Sequence, residues 1–234
     1  MWTLTDLFFP PRCAVCDGLL TVREQGICTA CEKDLHRIGE PYCMKCGKEI
    51  HRDEDIYCAD CRIHARSFES GRALFLYNDA MRGSIYRFKY AGRKEYAAYY
   101  GREMAAFLGD WIRAVDPDAL IPIPIHKKRM KKRGFNQAEL IAAALSEHIH
   151  VPVEADLLHR VVDTKKQKEL NASERENNLK KAFKTTRNDV ELDTVLLIDD
   201  IYTTGATMNA AATALKEAGI KHVYMMALCI GRNT

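Results

Sequence analysis

Long hydrophobic runs are missing from this sequence, and no stretch approaches the ~18 consecutive apolar residues of a membrane-spanning helix. The first eleven residues lack the basic start and the small-residue cleavage site of a secretory signal. Low-complexity segments and heptad repeats are also absent, which excludes collagen-like, disordered and coiled-coil classes. We therefore expect a soluble, cytoplasmic protein without a membrane span.

A strong net charge is absent as well, because 35 Lys and Arg side chains nearly balance 32 Asp and Glu side chains. The balance hides two unlike parts of the chain. Residues 1–64 carry 8 basic and 11 acidic side chains, whereas residues 65–234 carry 27 and 21. The basic character belongs to the second part, where we expect an anionic ligand to bind.

Cysteine is abundant, and its spacing is regular. Eight of the nine cysteines form four Cys-x-x-Cys pairs that start fifteen residues apart, and Cys229 stands alone. Two such pairs supply the four-sulfur shell that Zn²⁺ prefers, so the sequence predicts two structural zinc sites without an open coordination position. Four disulfides are the alternative, but a protein that is not exported meets reducing conditions. The predicted ligands are Cys13, Cys16, Cys28, Cys31, Cys43, Cys46, Cys58 and Cys61.

The grouping of these cysteines around two metals is open between two arrangements. A sequential arrangement joins the first pair with the second and the third with the fourth, whereas a cross-brace joins the first with the third. The sequential arrangement closes shorter loops at a lower cost in chain entropy and is favoured. Residues 12–64 contain few large apolar side chains, so we expect this segment to need its metal in order to fold.

From about Ser67 the hydrophobic pattern alternates between strands and helices. Strands are predicted at 72–77, 119–123, 195–198 and 222–229, and helices at 79–90, 94–115, 136–149 and 206–218. The four consecutive β-formers at 195–198 are typical of a strand buried on both faces of a parallel sheet. We therefore predict a small zinc-ribbon module over residues 1–64, followed by an α/β domain over residues 65–234 with a parallel sheet and flanking helices.

The sharpest motif follows the buried strand. Two adjacent acids, Asp199 and Asp200, precede a turn rich in threonine and glycine that opens a helix. Backbone N–H groups at a helix start bind phosphate, and carboxylates accept hydrogen bonds from a vicinal diol. A sugar with a 5-phosphate and free 2- and 3-hydroxyls fits both groups. The predicted site consists of Asp199, Asp200, Thr203, Thr204, Gly205, Ala206 and Thr207.

This segment resembles the phosphoribosyl pyrophosphate (PRPP) motif of type I phosphoribosyltransferases. The resemblance implies that fold, with the two acids on the ribose diol, residues 203–207 on the 5-phosphate, and Mg²⁺ bound together with PRPP. Purine salvage enzymes of this fold carry an acidic base where this sequence has Thr203, so a 6-oxopurine acceptor is disfavoured. No residue is identified as catalytic.

A basic run follows another predicted strand. Six of the seven residues from Lys127 to Arg133 are Lys or Arg. Flexible cations and exposed amides where a strand ends suit pyrophosphate, and the pyrophosphate loop of type I phosphoribosyltransferases follows such a strand. A solvated basic turn is the alternative. The predicted pyrophosphate-binding residues are Ile125, His126, Lys127, Lys128, Arg129 and Arg133.

A polar stretch over residues 160–184 is the candidate for a lid that closes over the pyrophosphate and excludes water. Its candidate contact residues are Lys165, Gln167 and Arg175. A solvated helical hairpin is the alternative for this stretch.

Several further segments resemble the ComF family of competence-associated proteins, which join a zinc-binding N-terminal module to a phosphoribosyltransferase domain. The matching segments are residues 7–13, the Pro122-x-Pro124 motif with His126, and residues 133–140. The resemblance implies a cytoplasmic bacterial protein of DNA uptake and natural transformation that handles single-stranded DNA. It also implies partners such as a DNA-uptake helicase or another competence protein.

The sequence leaves three functions open. The first is phosphoribosyl transfer from PRPP to an unknown acceptor. The second is a binding module without catalysis, in which a basic groove with aromatic stacking platforms holds single-stranded DNA. The third is a docking surface on the zinc ribbons. The cations proposed for this groove are Lys89, Arg93, Arg102, the run from Lys127 to Arg133 and the cluster from Lys165 to Lys168. The aromatic platforms proposed for it are Tyr86, Phe88, Tyr90, Tyr96 and Phe135, although most of these tyrosines are better explained as core.

Overall fold

The computed structural model describes residues 10–51, 55–161, 182–186 and 191–232. The strands are β1 (Gly71–Leu76), β2 (Ala119–Pro122), β3 (Leu158–Arg160), β4 (Phe183–Thr185), β5 (Thr194–Tyr202) and β6 (His222–Ile230). The helices are α1 (Thr29–Glu32), α2 (Ala59–Ile63), α3 (Asp79–Tyr90), α4 (Tyr96–Val115), α5 (Lys127–Arg133), α6 (Gln137–Ile149) and α7 (Ala206–Glu217). Among these described residues, no helix is both long enough and apolar enough to cross a membrane.

The predicted parallel sheet is confirmed, with strand order β1-β6-β5-β2 and every pairing parallel. Its central strand β5 is buried on both faces: Leu196 and Ile198 pack toward α3, α4 and α6, whereas Val195 and Leu197 pack toward α7. β5 runs four residues beyond the predicted end because its last residues still pair with β6. The carboxyl ends of all four strands therefore meet at one edge of the sheet.

Both sides of the sheet are extended by single bridges. Val153 pairs in parallel with Leu120 of β2, and Arg37 pairs in antiparallel orientation with Phe75 of β1. The bonds beside Arg37 are Ile38 N–H to the Leu74 carbonyl at 2.9 Å and Leu76 N–H to the His36 carbonyl at 2.8 Å. The zinc-ribbon segment thus covers the edge of β1 that would otherwise expose unpaired backbone groups. The module boundary at residue 64 stays a prediction.

A second, antiparallel pair of strands was not predicted. β3 and β4 pair with Leu158 opposite Thr185, and they flank the stretch that the sequence proposes as a lid. Each strand has three residues, too few for a period-two pattern to stand out. The lid candidates Lys165, Gln167 and Arg175 lie outside the described residues, as do residues 7–9 of the family-like opening.

Candidate functional site

The two adjacent acids lie in the last part of β5, directly before the turn of residues 203–207, here called the phosphate loop. Gly205 has φ +76° and caps the start of α7, a left-handed conformation that favours glycine. A Cβ on this residue would overlap the Tyr202 hydroxyl, so crowding also requires glycine there. The strand, the turn and the helix start are arranged as the motif predicts, while the roles of these residues toward PRPP stay predictions.

Lys89 of α3 completes the acidic pair. Its ammonium forms an ion pair with Asp200, and the two side chains are 18% and 10% exposed. The Asp200 N–H donates to Asp199 Oδ1 at 2.8 Å. Burial, and then the neighbouring charge of Asp200, raise the pKa of Asp199 well above its usual value. The two acids therefore share one cation, and a ligand that brings hydroxyl donors or a metal ion would favour the charged form of Asp199.

Sequence reasoning placed Lys89 in a groove and not beside the acids. The contact joins two elements that are far apart in the chain, so no local spacing could reveal it. Two other groove candidates are engaged with the first ribbon: Arg93 with Asp17 at 2.8 Å, and Arg102 with the Gln25 carbonyl at 2.7 Å. Each of these three cations already has a partner within the protein, and the basic groove stays a prediction.

The predicted pyrophosphate segment begins beside the acids. The Ile123 N–H donates to the Ile198 carbonyl at 2.9 Å, which continues the pairing of β2 with β5. The basic run is then a helix and not a turn, because Lys, Arg and Met are good helix formers. His126 caps the start of this helix by accepting from the Lys128 N–H at 3.3 Å, and Gly134 ends it with φ +81°.

Asn136 is a site residue that sequence reasoning missed. It is 6% exposed, its amide donates to the Ile123 carbonyl at 3.1 Å, and its side-chain oxygen accepts from the Ala138 N–H at the start of α6. These bonds fix the chain after α5 against the end of β2. An N-cap signal before an apolar helix could have found the capping role, but not the bond to β2. A cavity of about 610 Å³ lies between this region and β3, lined in part by Pro124, Met130, Asn136, Leu158 and Arg160.

The cysteines form two compact clusters in the sequential arrangement, which confirms the favoured grouping. The sulfur atoms of Cys13, Cys16, Cys28 and Cys31 lie within 4.8 Å of one another, and so do those of Cys43, Cys46, Cys58 and Cys61. All nine cysteines lie among the described residues, and none of them forms a disulfide.

The donor chemistry of the clusters fits zinc. Four sulfurs per cluster match the shell of a structural Zn²⁺ site. The first cluster also shows backbone support for thiolates: Cys13 Sγ accepts N–H bonds from Val15 at 3.4 Å and Cys28 at 3.3 Å. Such bonds favour the charged form that a metal ligand needs. The two clusters would each hold one zinc ion.

Comparison with known proteins adds two domain matches. The double zinc ribbon domain matches residues 4–62, and the phosphoribosyl transferase domain matches residues 131–234. Competence protein F of Haemophilus influenzae is 30% identical over 230 residues, which are 94% of this chain and 97% of that protein. This chain belongs to the ComF family. Membership confirms the predicted combination of zinc ribbons with a phosphoribosyltransferase-like parallel sheet.

Other similarities of this ComF-family chain are partial. Competence protein ComFC of Bacillus subtilis is 34% identical over 152 residues, which are 63% of this chain and 58% of that protein. DNA utilization protein YhgH of Escherichia coli K12 is 30% identical over 148 residues, 62% of this chain and 65% of that protein. The B. subtilis glutamine PRPP amidotransferase solved with ADP and GMP is 19% identical, with a TM-score of 0.41, covering 61% of this chain and 30% of that one.

Proposed function

We propose that this ComF-family protein binds PRPP with Mg²⁺ at the carboxyl edge of its sheet and acts in DNA uptake. The observation that carries the proposal is the position of Asp199 and Asp200 directly before a glycine-opened helix start, at the end of a central parallel strand. In open parallel sheets this is where ligands bind. The names of its relatives, competence proteins and a DNA utilization protein, support the assignment to DNA uptake.

Each part of PRPP has a matching set of groups. The acids accept hydrogen bonds from the ribose diol, and the N–H groups at the start of α7 bind the 5-phosphate together with threonine hydroxyls. The exposed cations of α5 face the pyrophosphate, which is the most highly charged part of the ligand. Mg²⁺ would be held mainly by PRPP oxygens and water, as is usual for this ion with phosphate ligands.

Phosphoribosyl transfer is the catalytic form of this proposal. The bond between the anomeric carbon and a pyrophosphate oxygen would break, and its electron pair would leave with pyrophosphate. A lone pair of the acceptor would form the new bond to carbon, and the acceptor would lose its proton to water. The cations of α5 would stabilise the charge that grows on the leaving group. Incubation with PRPP and Mg²⁺ tests this step, because release of pyrophosphate that depends on one acceptor indicates an enzyme.

The PRPP site is tested by Asp199→Asn/Asp200→Asn in titration calorimetry with PRPP and Mg²⁺. We expect affinity to fall about 100-fold, because charge-assisted bonds to the diol are lost. Folding should survive the change, since burial already disfavours the charged form of Asp199 and Asn keeps an acceptor for Lys89. Asp110→Asn, on the exposed surface of α4, is the control for charge. Unchanged affinity of the double variant would refute the proposal.

Single-stranded DNA binding is a second candidate, supported by a surface of α3 and α5. Tyr86 and Tyr90 are 63% and 59% exposed, and their ring centroids lie 5.1 Å apart. The guanidinium of Arg133 lies 5.0 Å from the centre of the Tyr90 ring. Exposed aromatic rings beside cations are what sequence-tolerant binding of single strands uses. The other predicted platforms, Phe88, Tyr96 and Phe135, are buried and belong to the core.

The strand-binding surface is tested with Tyr90→Ala and a fluorescent oligothymidine. We expect affinity to fall about tenfold and to depend steeply on salt concentration. Tyr57→Ala, which removes an exposed ring from the second ribbon, should leave affinity unchanged. Equal binding by both variants and the natural protein would remove this candidate.

Docking of a helicase or another competence protein on the ribbons stays a prediction. Several large apolar side chains of the ribbons are exposed, including Leu19, Val22, Ile56 and Ile63. Deleting residues 1–64 would uncover the edge of β1, so it cannot separate docking from folding. Ile63→Ser, at a position 77% exposed, is the better test, and retained binding of a purified competence helicase would count against docking there.

A further inference from the structure

A cavity of about 380 Å³ lies at the carboxyl edge of the sheet, and the second ribbon forms one of its walls. Its floor is the ends of β1 and β6, at Leu76 and Gly231. The Gly231 N–H donates to the Tyr202 carbonyl at 2.9 Å, which places this floor next to the end of β5. The cationic cavity, as we call it, is lined by His36, Lys48, Glu49, His51, Leu76, Gly231 and Arg232.

Lys48 gives the cavity its character. This residue is 7% exposed, and no described residue offers its side chain a hydrogen bond or an ion pair. Protein covers most of its stem, while its ammonium lies at the wall of the cavity and is not cut off from water. An anion bound in the cavity would be its counter-charge.

The other polar groups of the cavity also suit an anion. Arg232 adds a second permanent cation, and His51 offers ring N–H groups. Glu49 is the only carboxylate among the lining residues that the structure describes, and it is already engaged with His36 Nε2 at 2.9 Å. A phosphate group fits this donor set, because lysine and arginine both bind phosphate through charge-assisted hydrogen bonds. The volume lies in the range of small-molecule pockets and exceeds what a lone phosphate needs.

The cavity lies near one side of the proposed PRPP site, and its assignment to the acceptor side depends on that proposed site. Pyrophosphate would leave on the side of β2, where the basic helix α5 begins. A displacement at a tetrahedral carbon brings the incoming group from the face opposite the leaving group. With pyrophosphate on the β2 side of β5, that face would lie toward β6 and β1, whose ends form the floor of the cationic cavity.

We propose that the cationic cavity binds the phosphate of a second, nucleotide-like ligand on the acceptor side of the PRPP site. The second zinc ribbon would thus supply contacts to that ligand. A free mononucleotide and the 5′-phosphate end of a DNA strand share this chemistry. Binding by either source uses the same Lys48 contact.

The test is titration calorimetry with AMP, performed in the presence of saturating PRPP and Mg²⁺ so that the phosphate loop is occupied. We expect Lys48→Met to lower AMP affinity about tenfold, since a charge-assisted contact is lost. Methionine matches the length of the covered stem, so its apolar packing is kept and the change should not destabilise the fold. Lys33→Met, at an exposed lysine of the ribbon segment outside the cavity lining, should leave AMP affinity unchanged. Arg232→Met, on the exposed tail, is a second variant that cannot affect folding of the core and should weaken AMP binding about threefold.

The same titration with a 5′-phosphorylated and a 5′-hydroxyl oligothymidine separates the two sources of phosphate. Tighter binding of the phosphorylated strand than of AMP assigns the cavity to strand ends, and the reverse assigns it to free nucleotides. Equal AMP affinity in the natural protein, Lys48→Met and Arg232→Met overturns the proposal, as does binding of none of the three probes.

Failure of the PRPP proposal is distinguishable. If PRPP does not bind but AMP binds through Lys48, the proposal for the cationic cavity is supported and the proposed PRPP site is refuted. If Asp199→Asn/Asp200→Asn no longer binds PRPP while Lys48→Met leaves AMP affinity unchanged, only the proposal for the cationic cavity is refuted.

Discussion

The two four-cysteine ribbons repeat each other closely in local structure. Each contains one antiparallel bridge at the same place in the repeat, Arg12 with Leu19 and Tyr42 with Glu49. A left-handed residue stands at one equivalent position in both ribbons, Asp17 in the first and Gly47 in the second. The equal spacing of the metal ligands explains the shared geometry, and the differing residues between the ligands show what each ribbon contacts.

The first ribbon is attached to α3 and α4 by polar contacts. Asp17 accepts from Arg93 at 2.8 Å and from the Tyr96 hydroxyl at 2.6 Å, so its carboxylate is used where the second ribbon has no side chain. Ser84 donates to the Ala14 carbonyl, which ties the same ribbon to the buried face of α3. Its cysteines pack with the helices on that side of the sheet.

The second ribbon lies against β1 and behind the phosphate loop. A Cβ on Gly47 would lie 2.7 Å from the Arg72 Cα, so close approach to β1 requires glycine. Cys46 packs in the same core as Tyr202 and Met208, on either side of the phosphate loop. The Ser67 N–H, just after this ribbon, donates to Asn209 of α7 at 2.6 Å. The two ribbons have the same metal ligands but different packing partners. The first packs against helices α3 and α4, and the second supports the candidate ligand site.

Removing one zinc ligand from each ribbon is the strongest way to test this difference. Cys16→Ser and Cys46→Ser change the same position of the two repeats. We expect Cys46→Ser to lower the free energy of unfolding by about 4 kcal/mol or more, because Cys46 is fully buried in the main core. It should also weaken PRPP binding about tenfold, since the support of Tyr202 is lost.

Cys16→Ser is the matched control, because Cys16 is exposed and its cluster does not contact the phosphate loop. It should lose one zinc ion and keep PRPP affinity within about twofold. Zinc content by mass spectrometry, thermal unfolding and calorimetry give the three readouts. Hydrogen exchange at residues 203–208 should rise only in Cys46→Ser, and this readout does not require PRPP to bind. Equal effects of the two variants on the loop would show that the ribbons do not differ in this way.

Gly205→Ala tests the contact between the phosphate loop and the second ribbon from the other side. The new methyl group would press on Tyr202, whose ring packs against Phe68 with centroids 6.4 Å apart. Overpacking together with a positive φ should cost about 2–4 kcal/mol. Gly134→Ala has a similar φ of +81° and open space around it, so backbone strain alone should cost about 1 kcal/mol. Thermal unfolding measures both, and equal losses would mean that crowding at Tyr202 contributes nothing.

Local sequence patterns predicted a helix well where a capping residue and a helical repeat of apolar residues occur together. The predicted helix at 79–90 matches α3, because Asn78 accepts from the Met81 N–H and apolar residues recur along one face. The grouping of the cysteines also followed from spacing alone. The roles of Asp199, Asp200 and the phosphate loop toward PRPP stay predictions.

What could not be predicted depends on contacts between distant segments. The Lys89–Asp200 ion pair, the bond from Gly231 to Tyr202 and the burial of Lys48 all join elements that meet only in the folded sheet. Sequence reasoning also treated the ribbons as a separate module, because metal-ligand spacing says nothing about packing partners. The bridge between Arg37 and Phe75 joins the ribbon segment to the edge strand β1, and no local pattern indicates that contact.

The smallest expected effect concerns the polar attachment of the first ribbon and its dependence on pH. Burial acts to raise the pKa of Asp17, but hydrogen bonds from Tyr96 and Arg93 outweigh it and lower that pKa. A carboxyl with a lowered pKa in the folded state stabilises the protein above the unfolded pKa of about 4 and loses this contribution as pH falls through the folded value. Because the Asp17 side chain is 24% exposed, solvent screening limits the contribution to about 1 kcal/mol.

Asp17→Asn should therefore reduce the melting temperature at pH 7 by about 2–4 °C, and this difference should shrink as pH falls from 5 toward 3. Asp55→Asn, which breaks the exposed contact with Arg62 in the second ribbon, is the control for an acid that does not join a ribbon to the sheet. PRPP affinity should be unchanged in both variants, because the first ribbon does not contact the phosphate loop. Melting curves of Asp17→Asn that stay parallel to those of the natural protein from pH 7 to 3 would show that the polar attachment does not stabilise the fold.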